Sequence, residues 1–222
     1  MKKIVLFVSL ITSLTTFAQN KTQYGFRVGL NNNYSSIIDN QTDIISRFRP
    51  DLHIGGFYRF NLAKRISLQP ELVYNNRGGS LKGFSVNFPE TESAILRNNF
   101  QYVSVPVILG ISPAKNIFFE VGPEYSVALN AGKKYGPDVN NDLGLVLGAR
   151  IDMLDAASLF SLSFRYVYGL RDVSNDTFTS TSLNKVNAPI DMRNRTFQVS
   201  ISYNFSEYYR WWSKYGIKKK KK

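Results

Sequence analysis

The chain has no cysteine and a single histidine, His53. A disulfide framework and a thiolate metal site are therefore excluded. No glycine-rich loop opens a helix, and no His or acidic residues fall at metal-ligand or calcium-loop spacing. Nothing in the sequence calls for a cofactor. Long apolar runs are missing after residue 14, and the mean hydropathy is −0.21. That argues against a bundle of membrane helices. It does not argue against a membrane barrel, whose lipid-facing residues are diluted by polar inward ones. The formal charge of +12 also overstates the basic character. Lys2 and Lys3 lie at the N-terminus, and seven basic residues follow Phe205 against the one acid Glu207. The body between carries 19 basic and 15 acidic side chains. A nucleic-acid-binding face is not expected.

The N-terminus is patterned for export. Met1-Lys2-Lys3 is basic, Ile4 to Leu14 is apolar, and Ala18 supplies a small residue before Gln19. Residues 1–18 are predicted to be a cleaved signal peptide. An exported chain without disulfides must be held by packing or by a closed hydrogen-bond network.

The strongest pattern is LFSLSFRYVYGL, Leu159 to Leu170. Phe160, Leu162, Phe164, Tyr166, Tyr168 and Leu170 form one apolar face. Ser161, Ser163, Arg165, Val167 and Gly169 form a small or polar one. Alternation of period two marks a strand. Its length is about twice that of a soluble strand and near the roughly 9–11 residues of a membrane stave. Seven further segments follow the pattern: Tyr24 to Asn33, Asp51 to Leu62, Ile66 to Arg77, Gln101 to Ile111, Ile117 to Asn130, Asp142 to Met153 and Asn194 to Phe205.

Between these segments long or medium polar connections alternate with short ones. Tyr34 to Pro50, Gly78 to Asn99, Ala131 to Asn141 and Asp172 to Arg193 read as loops. Ala63 to Arg65, Ser112 to Asn116 and Leu154 to Ser158 read as turns. Short periplasmic turns, long outer loops and an even strand count define an up-and-down transmembrane β-barrel. The prediction is an all-β, eight-stranded antiparallel barrel over 19–205, with a basic aromatic tail at 206–222. Pro106 and Pro123 are expected at bulges or gaps in the ladder.

Six phrases carry a family resemblance: GFRVGLNNNY at 25–34, LQPELVYNNRG at 68–78, YVSVPVILG at 102–110, VGPEYSVAL at 121–129, LGLVLGARID at 143–152 and FRYVYGLRDVS at 164–174. In that order the chain resembles the PorT-like outer-membrane β-barrel proteins of Bacteroidetes. The resemblance implies an outer-membrane barrel and, for some relatives, a part in type IX secretion or gliding machinery. It also implies that the last strand ends in an aromatic read by the assembly machinery, here Phe205. The seventeen residues after Phe205 depart from that pattern and hold both tryptophans, Trp211 and Trp212. Aromatic and lysine side chains favour a membrane interface, so the tail is expected at the inner leaflet or on a periplasmic partner.

The alternation turns Arg27, Arg59, Arg150 and Arg165 inward with Glu71, Glu120, Glu124 and Asp152. In a lumen filled by side chains, these eight are expected to pair as an ion-pair plug. His53 is read as a polar lumen or rim residue rather than a general base, and no catalytic residue is assigned. Phe84, Phe88, Ile95, Phe178 and Leu183 are apolar residues within polar loops, suited to packing on the rim or to a partner. The expected partners are outer-membrane lipid, the barrel-assembly machinery and envelope or secretion-complex proteins. The function expected is structural or interaction-based, with a small-solute porin and a soluble lipocalin-like barrel as alternatives.

Overall fold

The computed structural model describes residues 22–37, 44–84, 93–133, 135–153, 160–173 and 192–205. Eleven strands form among them: β1 (Gln23–Ile37), β2 (Ile44–Arg47), β3 (Arg49–Ala63), β4 (Ile66–Arg77), β5 (Ser80–Phe84), β6 (Ser93–Arg97), β7 (Phe100–Ala114), β8 (Ile117–Ala128), β9 (Asn141–Asp152), β10 (Phe160–Gly169) and β11 (Met192–Asn204). Eight close into an antiparallel barrel in the order β1-β11-β10-β9-β8-β7-β4-β3. The first and last staves seal it, paired from Gly25–Asn204 to Ile37–Met192. Closure satisfies every edge, which is what a chain surrounded by hydrocarbon requires.

The faces are sorted as the alternation predicts. Leu30, Leu52, Ile54, Leu72 and Phe119 point outward and are 56–65 % exposed. Arg27, Asn31, His53, Glu71, Ser104 and Arg165 point inward and are buried. An apolar belt on this scale is untenable in water and suited to lipid. A soluble lipocalin-like barrel needs the opposite sorting, with apolar residues around an inner ligand. That alternative is excluded.

At the end bearing the short turns, β3, β1, β11 and β10 present a run of touching rings. Tyr24 stacks on Tyr58 with centroids 6.4 Å apart, and Phe26, Phe160, Tyr203 and Phe205 continue the run. Rings with polar tips at a strand end are the girdle of a membrane interface.

The structure corrects several sequence expectations. Tyr34 to Pro50 is not an irregular loop: β1 runs on to Ile37, β2 occupies Ile44–Arg47 and β3 begins at Arg49. Gly78 to Asn99 is a loop only in part, since β5 and β6 pair there. Together β2, β5 and β6 make a three-stranded sheet beyond the barrel wall. The fifth stave ends at Ala128 rather than Asn130, and the last begins at Met192. These three strands are only four or five residues long, too short for a two-residue repeat to stand out in the sequence.

The paired positions break around Pro106, passing from Val73–Ser104 to Pro70–Val107 with register unchanged. They break again beside Pro123, between Pro106–Glu124 and Leu109–Val121. Proline removes a donor, and these ladders skip rather than bulge. The register shifts fall instead at Asn61/Ala63 and Ile111/Ala114, beside two short turns. In the second turn Asn116 adopts φ 66°, a conformation asparagine tolerates. The signal segment, the Leu154 to Ser158 turn, Phe88, Phe178, Leu183, Trp211 and Trp212 lie outside the described residues.

Candidate functional site

Strand neighbours are level in register but not level along the barrel axis. Stepping from neighbour to neighbour once around the barrel returns to β1 about ten residues higher, from Gly25 to Ser35. Closed sheets need this stagger because their strands tilt. It decides which inward side chains meet. Arg27 is paired in register with Gly55, and Gly55 with Val73, yet Arg27 reaches Glu71.

The lower lumen, nearer the short turns, is a charged layer. Glu71 accepts four hydrogen bonds: Arg27 Nη1 at 2.7 Å, Arg165 Nη1 at 3.0 Å, Arg165 Nη2 at 2.9 Å and Gln69 Nε2 at 2.5 Å. Arg165 also donates through Nε to Glu120 at 2.6 Å. Arg150 donates to Glu120 at 3.0 Å and to Asp152 at 2.9 Å, and its guanidinium lies 4.1 Å from the centre of the Phe118 ring. The side chains of Arg27, Glu71, Glu120, Arg150 and Arg165 are 0–2 % exposed. Such burial is sustained only when charge and hydrogen bonds are both matched. Glu71 and Arg165 achieve this fully. Gly148 makes space for it, because a Cβ there would sit 2.8 Å from Arg165 Cγ.

The eight residues expected to form one network do not all join it. Arg59 lies in the same layer, but the partners it finds are neutral amides: Gln69 at 2.5 Å and Gln23 at 2.8 Å. Glu124 is separate and higher, paired with Arg77. Arg77 was missed by the sequence reading, although it shares the parity of Glu71 and Asn75 on β4. The same alternation could have found it. It is the last residue of the strand, in the sequence as in the structure.

The upper lumen mixes the Arg77–Glu124 pair and the buried Asp142 with neutral groups. Ile108, Val146 and Val167 form an apolar cluster that begins beside Gln69 of the charged layer, to which Ile108 is paired in register. Asn75, Ser104 and Ser126 form a hydroxyl–amide chain at 2.9 and 2.7 Å. Asn194 donates to Asp142 at 2.8 Å. At the mouth Phe100, Tyr102 and Val173 pack together, with Met192 also fully buried. These residues were not anticipated as a stopper.

His53 is buried beside Gly29, and neither ring nitrogen has a hydrogen-bonding partner among the described residues. Among the described residues no nucleophile is hydrogen-bonded to it. The described residues also contain no group of three or more acidic or His side chains placed to hold a metal ion. Phe205 lies just past β11, its ring 6.1 Å from Tyr24 and 5.3 Å from Tyr203. Phe84 and Ile95 fall on β5 and β6.

A family model described as the outer membrane protein beta-barrel domain matches residues 17–175. No curated protein sequence matches the chain. Among solved structures the chain is similar to Ail, the attachment invasion locus protein of Yersinia pestis, crystallised with the heparin analogue sucrose octasulfate. The identity is 14 %, covering 83 % of this chain and 99 % of Ail, with a TM-score of 0.44. It is also similar to OprG from Pseudomonas aeruginosa (12 % identity, 83 % and 94 % covered, TM-score 0.44) and to Neisserial surface protein A (10 %, 83 % and 99 %, 0.42).

Proposed function

The chain belongs to the outer membrane protein beta-barrel domain family, and on that premise we propose that it is a sealed barrel acting through its surfaces, as a structural or interaction protein of the cell envelope. One observation carries the reading: the side chains of Arg27, Glu71, Glu120, Arg150 and Arg165 are 0–2 % exposed, and Glu71 is saturated with four hydrogen bonds. Water-filled passage requires lumen groups that solvent can reach. A barrel without that passage has its outer loops, its lipid face and its ends left to work with. The test is single-channel recording in planar bilayers. No steady open level is expected, and a large stable conductance would favour a small-solute porin instead.

The same reading takes residues 1–18 as a signal removed on export, Phe205 as the terminal aromatic used in assembly, and the tail with Trp211 and Trp212 as an inner-leaflet contact. Support comes from the sequence pattern and, for Phe205, from its place in the aromatic girdle. Intact-mass measurement of the exported chain tests the first. Truncation after Phe205, with membrane retention as the readout, tests the last. The resemblance to PorT-like proteins of Bacteroidetes supports a partner within an envelope or type IX secretion complex. Recovery of such subunits with the chain from mild-detergent extracts is the expected outcome.

A further inference from the structure

Above the apolar belt lies a cleft of about 430 Å³, lined by Arg47, Phe48, Arg49, Pro50, Ser80 and Arg97. Its base is a single row of the small outer sheet, in which Arg47 pairs with Ser80 and Ser80 with Arg97. Directly opposed residues of neighbouring strands share a face. Two exposed guanidinium groups therefore flank one hydroxyl, their Cα atoms separated by two strand spacings, roughly 10 Å. Among the described residues no carboxylate pairs with Arg47 or Arg97; Arg49, the third arginine, is paired with Asp51 at 3.1 Å. Like charges held together this way repel and lower stability unless an anion joins them.

The apolar surroundings narrow the choice of anion. Phe48 is 65 % exposed and packs on Tyr34 at 5.4 Å, and Leu52, 65 % exposed, begins the lipid-facing belt directly below. The cleft is cationic above and continuous with the membrane face beneath. We propose that Arg47, Ser80 and Arg97 bind the phosphate of a phosphorylated glycolipid headgroup in the outer leaflet, with its acyl part beside Phe48 and Leu52. This inference rests on the outward orientation of the loops and not on the sealed lumen. Conductance of the same preparation reads the lumen separately.

The test uses the full chain purified in detergent, with binding followed by native mass spectrometry. The probes are a bisphosphorylated glycolipid, the same lipid with its phosphates removed, inorganic phosphate and a sulfated polysaccharide. Retention of the phosphorylated lipid alone is expected, weakened at least about tenfold in Arg47→Gln and further in Arg47→Gln/Arg97→Gln. Arg47→Lys/Arg97→Lys should restore only part of the binding, because lysine lacks the planar fork. Each variant is checked for the shifted migration of unheated folded barrel on a gel. Equal binding of the dephosphorylated lipid, or binding unchanged by the double Gln variant, overturns the proposal. Competition by inorganic phosphate at the lipid's own concentration overturns the lipid source, as does preference for the sulfated polysaccharide.

Discussion

The lower lumen and the mouth of this barrel are both filled, by opposite means. The lower layer is filled by charge, with Arg27, Arg150 and Arg165 on Glu71 and Glu120 at its centre, each held by several partners. The mouth is filled by Phe100, Tyr102, Met192 and Val173, with amides and the single Arg77–Glu124 pair between them and the charged layer. The charged layer tolerates no vacancy, because one missing partner leaves a buried ion unmatched. Phe100, Val173 and Met192 at the mouth are apolar, and shortening one of them loses mainly contact area. The two regions should therefore differ most in how they respond to single substitutions and to paired ones.

The largest effect is expected from Arg165→Ala. It removes three hydrogen bonds and leaves Glu71 and Glu120 buried with reduced compensation, at a cost of about 3–5 kcal/mol. The urea midpoint of the barrel refolded in lipid vesicles measures it. Phe100→Ala at the mouth should cost about 3 kcal/mol by the same assay. If Phe100→Ala cost more than Arg165→Ala, the contrast between the two regions would be wrong. Asn194→Ala removes the donor to Asp142 and should cost about 1–2 kcal/mol. The smallest change is expected from Arg77→Met combined with Glu124→Leu. Replacing both members of a buried pair by apolar groups of similar volume should shift stability by no more than about 1 kcal/mol, whereas Glu124→Leu alone should cost about 3. The excess of the single over the double change measures the penalty of a stranded charge.

Much of the candidate site was legible from parity. Arg27, Glu71, Glu120, Arg150, Asp152 and Arg165 could be placed inside because each alternates with a large apolar neighbour. Arg77 was missed although it stands on the inward parity of its strand, because at the last position before a loop parity alone does not tell a lumen residue from a rim one. Phe100 and Tyr102 were missed because an apolar residue on an inward face carries no sign of its own. Arg59 was misassigned among the ion pairs because its inward direction could be read and its neighbours across the lumen could not. The outer sheet of β2, β5 and β6 was hidden for a different reason. Strands of four or five residues carry too little repeat to be told from loop, so that row of arginines looked like loop.

By itself the order of residues determined the staves, their two unlike faces and the rhythm of short and long connections. These are local properties, set by the two-residue repeat of an extended chain and by the cost of leaving apolar side chains in water or backbone groups unpaired in lipid. Tertiary structure alone decided which charge meets which, how the mouth is closed and where the arginines of the outer sheet converge. Those contacts follow from the stagger of a closed barrel, which carries side chains about ten residues along the wall in one circuit. A stagger of that kind belongs to the closed ring and to no single strand.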